Sequence, residues 1–195
     1  MSFRSAVLCS RNRHKAREFG RLLPGWAHEP LDRDDYPPET GATYYDNAAL
    51  KAGFGRAVTG GGSWVLAEDS GLEVEALDGR PGILSARYAP EGAPAIAKLL
   101  GELAGVEDRA ARYVSELVLL SPGGEELRGT GTLEGRIATE PRGSEGFGYD
   151  PVFVPDGEEQ TVAELGDKWK SVNSHRARAA QALLQALSAS PATTS

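Results

Sequence analysis

Short apolar runs and stretches of helical periodicity alternate from the start of the chain. The apolar run Ala6–Cys9 predicts a buried strand. Apolar residues then recur at helical spacing as far as Pro24-Gly25, and Ser10 and Asn12 are residue types that begin helices. The chain is therefore predicted to open with a strand, a tight turn and a helix.

Two further strands and a second helix are predicted before residue 80. Residues 28–43 are polar, acidic and rich in proline, which predicts a connector. A helix is predicted from about Asp46 to Val58. Trp64–Ala67 predicts a buried strand, and the alternation over residues 72–76 predicts a strand with one exposed face. The polar residues Glu68–Gly71 directly follow the first of these strands.

The rest of the chain continues the interleaving of strands and helices. The predicted elements are a helix from Pro94 to Leu103, hairpin strands at 113–120 and 127–138, a short strand at 152–154 and a last helix at 174–187. Residues 188–195 are small and polar and are predicted to be a disordered tail. No sequence period recurs, so a repeat architecture is not predicted. The interleaving of strands and helices indicates an α/β or mixed α+β class around a mixed sheet.

The composition limits the partners of the protein. Its 195 residues suffice for one good-sized domain or for two lobes that share a core. The net charge of −7 disfavours a nucleic-acid partner, because such proteins usually carry a basic surface. No apolar run has the length of a membrane span, and the N-terminus has no apolar segment of signal-peptide length. With a single cysteine, Cys9, we expect a cytoplasmic protein. The negative charge still permits a small ligand that carries phosphate, because a few lysines can bind it.

Three stretches of the first half carry residues suited to phosphate chemistry. A helix N-terminus offers free N–H groups to an anion, and Lys15 adds a charge there, although an ordinary capped helix has the same pattern. Asn47 and Lys51 share a helix face, which is equally typical of a solvent-facing stripe. Glu68 and Asp69 follow a buried strand and could hold Mg²⁺ or deprotonate a water, or could form a plain acidic turn.

Two later stretches carry residues suited to a nucleotide base. Phe147 and Tyr149 are separated by one glycine and offer ring faces on which a base can stack, although a tight turn packed on its own rings has the same sequence. Lys170 could contact a phosphate. Arg176 follows a predicted helix start and can donate paired hydrogen bonds to a keto oxygen and a ring nitrogen.

Six motifs in a fixed order make the chain resemble the Ham1/RdgB family of inosine triphosphate pyrophosphatases, also called XTP/dITP diphosphatases. The motifs are Ser10–Lys15, Asp46–Ala48, Asp69–Leu72, Pro81–Tyr88, Gly146–Pro151 and Ser174–Arg176. The resemblance spans about residues 5–187. It implies an ITPase-like (Ham1/Maf-type) α/β fold over residues 1–187, with an elongated mixed sheet flanked by helices and two lobes around a central cleft that holds the active site. It also implies a Mg²⁺ cofactor and a homodimer.

The resemblance also implies a role for individual residues. Asp69 would be the catalytic carboxylate and a magnesium ligand, with Glu68 and Glu39 as further ligands. The triphosphate would be held by Ser10, Arg11, Asn12, Arg13, His14, Lys15, Lys51, Ser70 and Lys170. The base pocket would be lined by Phe147, Gly148, Tyr149 and Asp150, and the 6-keto edge of the purine would meet His175 and Arg176. Three residues depart from the family pattern, namely Arg11, Asp46 and Glu68.

The reaction implied by the resemblance is hydrolysis of ITP, dITP and XTP to the monophosphate and pyrophosphate, by attack of a water on the α-phosphorus. Adenine carries an amino donor at C6 where these purines carry an acceptor, so ATP would leave a donor of the pocket unpaired. A dinucleotide-dependent oxidoreductase is disfavoured, because the glycines of Gly129–Gly135 have the wrong spacing and lie in a predicted hairpin. A non-catalytic purine nucleotide sensor and a related pyrophosphatase with another base preference are the open alternatives.

Overall fold

The structure is a computed structural model that describes residues 4–190, without the side chain of Arg13. Its strands are β1 (Arg4–Cys9), β2 (Trp26–Pro30), β3 (Trp64–Val74), β4 (Ala110–Leu120), β5 (Glu126–Ile137) and β6 (Phe153–Pro155). Its α-helices are α1 (Arg13–Leu22), α2 (Tyr44–Thr59), α3 (Ala93–Glu102), α4 (Val162–Asn173) and α5 (His175–Ala189), and two 3-10 helices cover Glu75–Leu77 and Gly82–Arg87. No helix within residues 4–190 is long and apolar enough to cross a membrane.

The six strands form one sheet in the order β2-β1-β3-β4-β5-β6. Strand β1 pairs in parallel with both β2 and β3, whereas β5 and β6 are antiparallel. The sheet is therefore mixed, and the predicted α/β class is confirmed.

The chain forms two compact units, each assembled from separate segments. Of the described residues, the first unit combines 4–69, 115–131 and 176–190, and the second combines 70–114 and 132–175. The chain passes from one unit to the other within β3, within β4, within β5 and at the start of α5. Each of these four elements therefore contains residues of both units.

The first unit has two apolar clusters in its core. The larger cluster includes Leu8, Phe19, Leu66, Leu117 and Leu183, all fully or almost fully buried. The smaller cluster joins α2 to the sheet and consists of Cys9, Ala48, Ala52, Val65, Ala67 and Val118. Gly55 makes this approach possible, because a Cβ there would collide with the sulfur of Cys9. Helix α2 is thereby held directly against β1 and β3, which fixes the side chains on its inner face.

The second unit has one apolar cluster. It includes side chains from β3, α3, β4, β5 and β6, such as Leu72, Leu99, Tyr113, Leu133 and Phe153, with Val152 just before β6 and Val162 at the start of α4. The apolar stripe predicted on the helix after Pro94 is confirmed, since Ile96 and Leu99 are buried.

The connector predicted over residues 28–43 is wrong at its start. Residues 26–30 form β2, and His28 and Glu29 pair with Ala6 and Val7 of β1. Strand β2 lies at the edge of the sheet, where one side is open to water and where a proline is tolerated. Polar residues and Pro30 therefore do not prevent a strand at this position.

The alternative of a plain acidic turn at Glu68–Gly71 is also wrong. Strand β3 runs without a break from Trp64 to Val74 and includes all four of these residues. Both carboxylates of this stretch are almost completely buried. A strand can accommodate them because each is paired with cationic side chains.

The sequence pattern predicts no helix over residues 162–173, where the structure has α4. The helix begins with a capping box in which Thr161 and Glu164 bind each other's backbone N–H groups. Gly166 interrupts it, with a left-handed φ of 81°. This interruption removes the continuous periodicity by which a helix is recognised.

Helix α5 extends two residues beyond its predicted end. It runs to Ala189, and the Ser190 hydroxyl lies 2.8 Å from both carboxylate oxygens of Glu125. The first three residues of the predicted tail, 188–190, are thus ordered. Residues 191–195 lie outside the described part of the chain.

Candidate active site

Lys51 joins two carboxylates in the first unit. Its Nζ lies 2.8 Å from Oε1 of Glu39 and 2.8 Å from Oδ1 of Asp69. Lys51 and Asp69 are buried, whereas Glu39 is partly exposed. Two carboxylates from separate segments thus converge on one positive charge.

The start of α2 places Lys51 and its neighbour Asn47. Thr43 and Asp46 form a capping box, with Asp46 Oδ2 accepting from the Thr43 N–H at 3.0 Å. Asn47 Nδ2 donates to Asp69 Oδ2 at 3.2 Å, and its Oδ1 accepts from the Gly41 N–H at 2.8 Å. The predicted shared helix face of Asn47 and Lys51 is confirmed, since both side chains contact Asp69. The carboxylate of Asp46 is used in the helix cap.

Glu68 is fully buried and is surrounded by donors. Its carboxylate lies 2.7 Å from Lys15 Nζ, 3.1 Å from Arg176 Nε and 3.1 Å from Ser115 Oγ. Burial alone would raise the pKa of Glu68, but the charges of Lys15 and Arg176 outweigh it and hold the pKa well below its usual range. Arg176 also contacts Glu18 at 3.2 Å, so its guanidinium joins two carboxylates.

Asp69 has the opposite pKa shift. Burial raises the pKa of its carboxyl group, and the nearby Lys51 offsets this only in part. Burial also disfavours the charged form of Lys51, but Asp69 and Glu39 together raise the pKa of its amine above the usual value. A carboxylate with a raised pKa accepts a proton more readily, so Asp69 is suited to general-base chemistry.

The turn before α1 differs in detail from the expected anion site. The N–H groups of His14 and Lys15 both donate to Asn12 Oδ1, at 2.9 and 3.2 Å, and the Asn12 N–H donates to Ser10 Oγ. The expectation of free backbone donors is therefore wrong for these N–H groups, because the side chain of the N-cap residue occupies them. The guanidinium of Arg11 lies over the ring of Tyr36, 5.6 Å from its centroid.

The second unit holds a group built around Asp150. Its Oδ2 accepts from Lys170 Nζ and from the Phe147 N–H, both at 2.8 Å. The Lys170 ammonium group also lies 4.6 Å from the centroid of the Phe147 ring. Gly146 has a left-handed φ of 79°, and a Cβ there would collide with the Asp150 carboxylate. The turn, the lysine and the aromatic ring are therefore fixed relative to one another.

Tyr113 connects this group to His175. The Tyr113 and His175 rings stack with centroids 4.5 Å apart and planes 11° apart, and the Tyr113 hydroxyl donates to Asp150 Oδ1 at 3.4 Å. The Tyr149 hydroxyl donates to the Ser85 carbonyl at 3.3 Å, and burial raises the pKa of Tyr149 to about 12. The residues predicted to meet the base thus form one connected group in the second unit, apart from Arg176, which belongs to the first.

A model of the Ham1 family matches residues 6–186. This chain belongs to the Ham1 family. It is 45% identical to the dITP/XTP pyrophosphatase of Deinococcus deserti over 92% of this chain and 88% of that protein, and 44% identical to that of Nocardia farcinica over 97% of both. Among solved structures, the Ham1 protein of Staphylococcus aureus is 38% identical, with a TM-score of 0.81 over 94% of this chain and 97% of that chain.

Some residues of this Ham1-family site escape sequence reasoning. Tyr113 and Ser115 lie in β4 and Glu18 in α1, and each contacts a residue that the motifs single out. None stands in a recognised motif, and only the fold brings them close.

Three other predicted site residues remain to be placed. Ser70 is half-buried beside Asp69, and Gly148 has a left-handed φ of 64°. The side chain of Arg13 lies outside the described part of the structure.

The carboxylates can be tested for their fit to a magnesium ion. Mg²⁺ usually takes one or two protein carboxylates and completes its shell with water and substrate phosphates. Glu39 and Asp69 fit this demand, because they already converge on the positive charge of Lys51. Glu68 does not fit, since Lys15, Arg176 and Ser115 surround its buried carboxylate. Within residues 4–190, no group of three or more acidic, histidine or cysteine side chains is placed to hold a metal.

Proposed function

We propose that this Ham1-family protein hydrolyses ITP, dITP and XTP to the nucleoside monophosphate and pyrophosphate. Relatives that are 44–45% identical over nearly the whole chain are named dITP/XTP pyrophosphatases. The observation that carries the proposal is the buried Asp69 carboxylate, held by Lys51 and Asn47 beside Glu39. Such an arrangement supplies a proton acceptor and neutralising charge, which attack of water on a phosphate requires.

Asp69 acts as the general base in this proposal. It accepts a proton from a water as the water oxygen attacks the α-phosphorus, the bond between that phosphorus and the α–β bridging oxygen breaks, and pyrophosphate leaves with the bonding electrons. Asn47 Nδ2 and Lys51 Nζ each hold one oxygen of the Asp69 carboxylate, so its orientation is set before substrate arrives. Catalysis then consists mainly of positioning and charge neutralisation.

Asp69 and Glu39 are the residues we propose to hold Mg²⁺, which would neutralise phosphate charge when bound. Their present partner, Lys51, is itself a cation and lies 2.8 Å from an oxygen of each carboxylate. Glu68 instead fixes Lys15 and Arg176 next to the same strand.

The second unit supplies the proposed base pocket. The Phe147 ring offers a face for stacking, and Lys170, fixed by Asp150, adds a positive charge beside it for a phosphate. His175, stacked on Tyr113 in the same unit, is the proposed donor to the 6-keto edge. A donor is satisfied by the 6-keto group of hypoxanthine or xanthine and meets another donor in adenine. Preference for hypoxanthine and xanthine over adenine follows from this chemistry. The homodimer and the cytoplasmic location also remain our proposals, and they rest on the family resemblance and on the composition.

Release of pyrophosphate from ITP, XTP, GTP and ATP, with and without Mg²⁺, tests the proposal. We expect magnesium-dependent release from ITP and XTP, with little from ATP. Asp69→Asn should lower kcat by at least about 10³-fold, because the amide cannot accept the proton of the attacking water. Asp34→Asn makes the same change at an exposed carboxylate and should leave the rate unchanged.

Each other outcome points to a different account. Binding of ITP without turnover in the wild-type protein would indicate a nucleotide sensor. Equal hydrolysis of all four nucleotides would leave a pyrophosphatase but contradict the proposed base preference. An Asp69→Asn variant with wild-type kcat would contradict the proposed general base.

A further inference from the structure

Helix α4 is broken in its middle, and the break divides it into two helical segments. Gly166 has φ 81° and ψ 176°, far from helical values, and it separates Val162–Leu165 from Asp167–Asn173. The second segment carries Lys170, whose ammonium group contacts Asp150 and Phe147. Because Lys170 lies one helical turn beyond the break, the angle at Gly166 determines where its ammonium group is placed.

Glu145 contacts the chain on both sides of this break. Its N–H donates to the Ala163 carbonyl at 3.3 Å, in the segment before Gly166. Its carboxylate Oε2 accepts from the Asp167 N–H at 2.9 Å, at the first residue of the segment after Gly166. The first N–H groups of a helix are usually accepted by the side chain of the residue that precedes it. Here that residue is Gly166, which has no side chain, and the Glu145 carboxylate accepts from the Asp167 N–H instead.

Gly166 and Glu145 are matched in space. A Cβ at position 166 would lie 2.7 Å from Glu145 Oε2, closer than Cβ atoms approach such a group. Absence of a side chain at residue 166 therefore leaves room for the Glu145 carboxylate. The carboxylate also lies at the positive end of the segment dipole, where a negative charge is favourable.

The contacts of Glu145 close a ring that includes the proposed base pocket. The chain leads from Glu145 through Gly146 to Phe147, whose N–H binds Asp150. Asp150 binds Lys170, and Lys170 lies on the segment that Glu145 caps. Movement of that segment would separate Lys170 from both of its partners on the turn.

We propose that Glu145 is a positioning residue for Lys170, which it holds against Asp150 and Phe147 by capping the helical segment after Gly166. This proposal rests on the proposed function in one respect, namely that Lys170 contacts the substrate. Glu145 itself is exposed, and its carboxylate acts through the segment that carries Lys170.

Glu145→Ala and Glu145→Gln, compared with the wild type, test this proposal. Alanine removes the acceptor, and we expect KM for ITP to rise about threefold to tenfold while kcat changes less than about twofold. Glutamine keeps an oxygen that can accept from the Asp167 N–H, so its KM should stay within about twofold of the wild type. Glu140→Ala removes another exposed glutamate of the same unit and should behave as the wild type.

Hydrogen–deuterium exchange without nucleotide supplies a second readout, which does not depend on the proposed function. We expect faster exchange over residues 167–173 in Glu145→Ala, with wild-type exchange in Glu145→Gln and in Glu140→Ala. Unchanged exchange in Glu145→Ala would overturn the proposal. Faster exchange with an unchanged KM would also overturn it, because Glu145 would then order the segment without positioning Lys170. If the wild-type protein hydrolyses no nucleotide, the proposed function fails, while the exchange result still decides whether Glu145 holds the segment.

Discussion

Glu68 and Asp69 are neighbours in sequence, yet their surroundings differ completely. Successive residues of a strand point to opposite faces of the sheet. Glu68 accordingly contacts Lys15 and Arg176, whereas Asp69 contacts Asn47 and Lys51 of α2. The pKa of Glu68 is lowered and that of Asp69 is raised. The charged form of Glu68 is thus favoured, and its neighbour Asp69 is suited to proton transfer.

This difference predicts that neutralising Glu68 lowers the stability of the protein more than neutralising Asp69. Glu68→Gln leaves the charges of Lys15 and Arg176 without their shared partner, and we expect the free energy of unfolding to fall by about 3–5 kcal/mol. Asp69→Asn leaves Lys51 paired with Glu39 and should cost less stability. Urea unfolding of both variants measures this. A larger stability loss in Asp69→Asn than in Glu68→Gln would contradict the assignment.

At the scale of the element, β2 carries a histidine in an apolar setting. His28 is packed beside Leu23, Trp26 and Leu66, and neither of its ring nitrogens has a hydrogen-bond partner in the described part of the protein. Burial lowers the pKa of His28 below its usual value of 6.5. The neutral imidazole is therefore the form that this edge strand accommodates.

The lowered pKa predicts a pH-dependent loss of stability. Below about pH 6.5 the unfolded chain takes up a proton at His28 before the folded chain does, so acidification favours unfolding until the folded-state pKa is passed. Above that pH the residue contributes no pH dependence. We expect His28→Phe to lose less stability than the wild type between pH 7.5 and 5.5, as measured by thermal unfolding. Equal losses in His28→Phe and the wild type would contradict this account.

The elements that sequence reasoning misses share a physical cause. Periodicity finds β1, α2, α3 and the strands of the hairpin, because each buries one continuous face. It does not find α4, whose capping box is readable as Thr161 and Glu164 but whose periodicity ends at Gly166. It breaks β3 at Glu68, because the cations that neutralise this carboxylate come from distant parts of the chain.

In the candidate site, too, the spacing of residues predicts some contacts, whereas contacts between residues far apart in sequence are seen only in the structure. The i, i+4 spacing of Asn47 and Lys51 is a local signal, and both contact Asp69. The stacking of Tyr113 on His175 brings together two residues that are far apart in sequence, and no motif announces it. The bond from Glu145 to Asp167 is likewise visible only in the folded chain.

At the scale of the whole molecule, three long strands belong to both compact units. Strands β3, β4 and β5 each begin in one unit and end in the other. If one unit unfolded alone, each of these strands would have to be broken in its middle. The backbone itself therefore links the stability of the two units.

This continuity predicts a single unfolding transition. Trp26 and Trp64 are in contact in the first unit, and Trp169 lies in the second. Fluorescence of Trp169→Phe therefore follows the first unit, and fluorescence of the double variant Trp26→Phe/Trp64→Phe follows the second. In each variant we expect the fluorescence and far-ultraviolet circular dichroism transitions in urea to coincide. Separate midpoints within either variant would show that the units unfold independently.

The pairing of Glu68 with Arg176 also has a consequence during synthesis on the ribosome. Glu68 leaves the ribosome before Arg176, and the first unit includes residues 176–190 as well as residues 4–69. A nascent chain that buried Glu68 early would hold a carboxylate that lacks one of its two cations, which is costly. The first unit can therefore bury Glu68 with both of these cations only after the segment that carries Arg176 has been made.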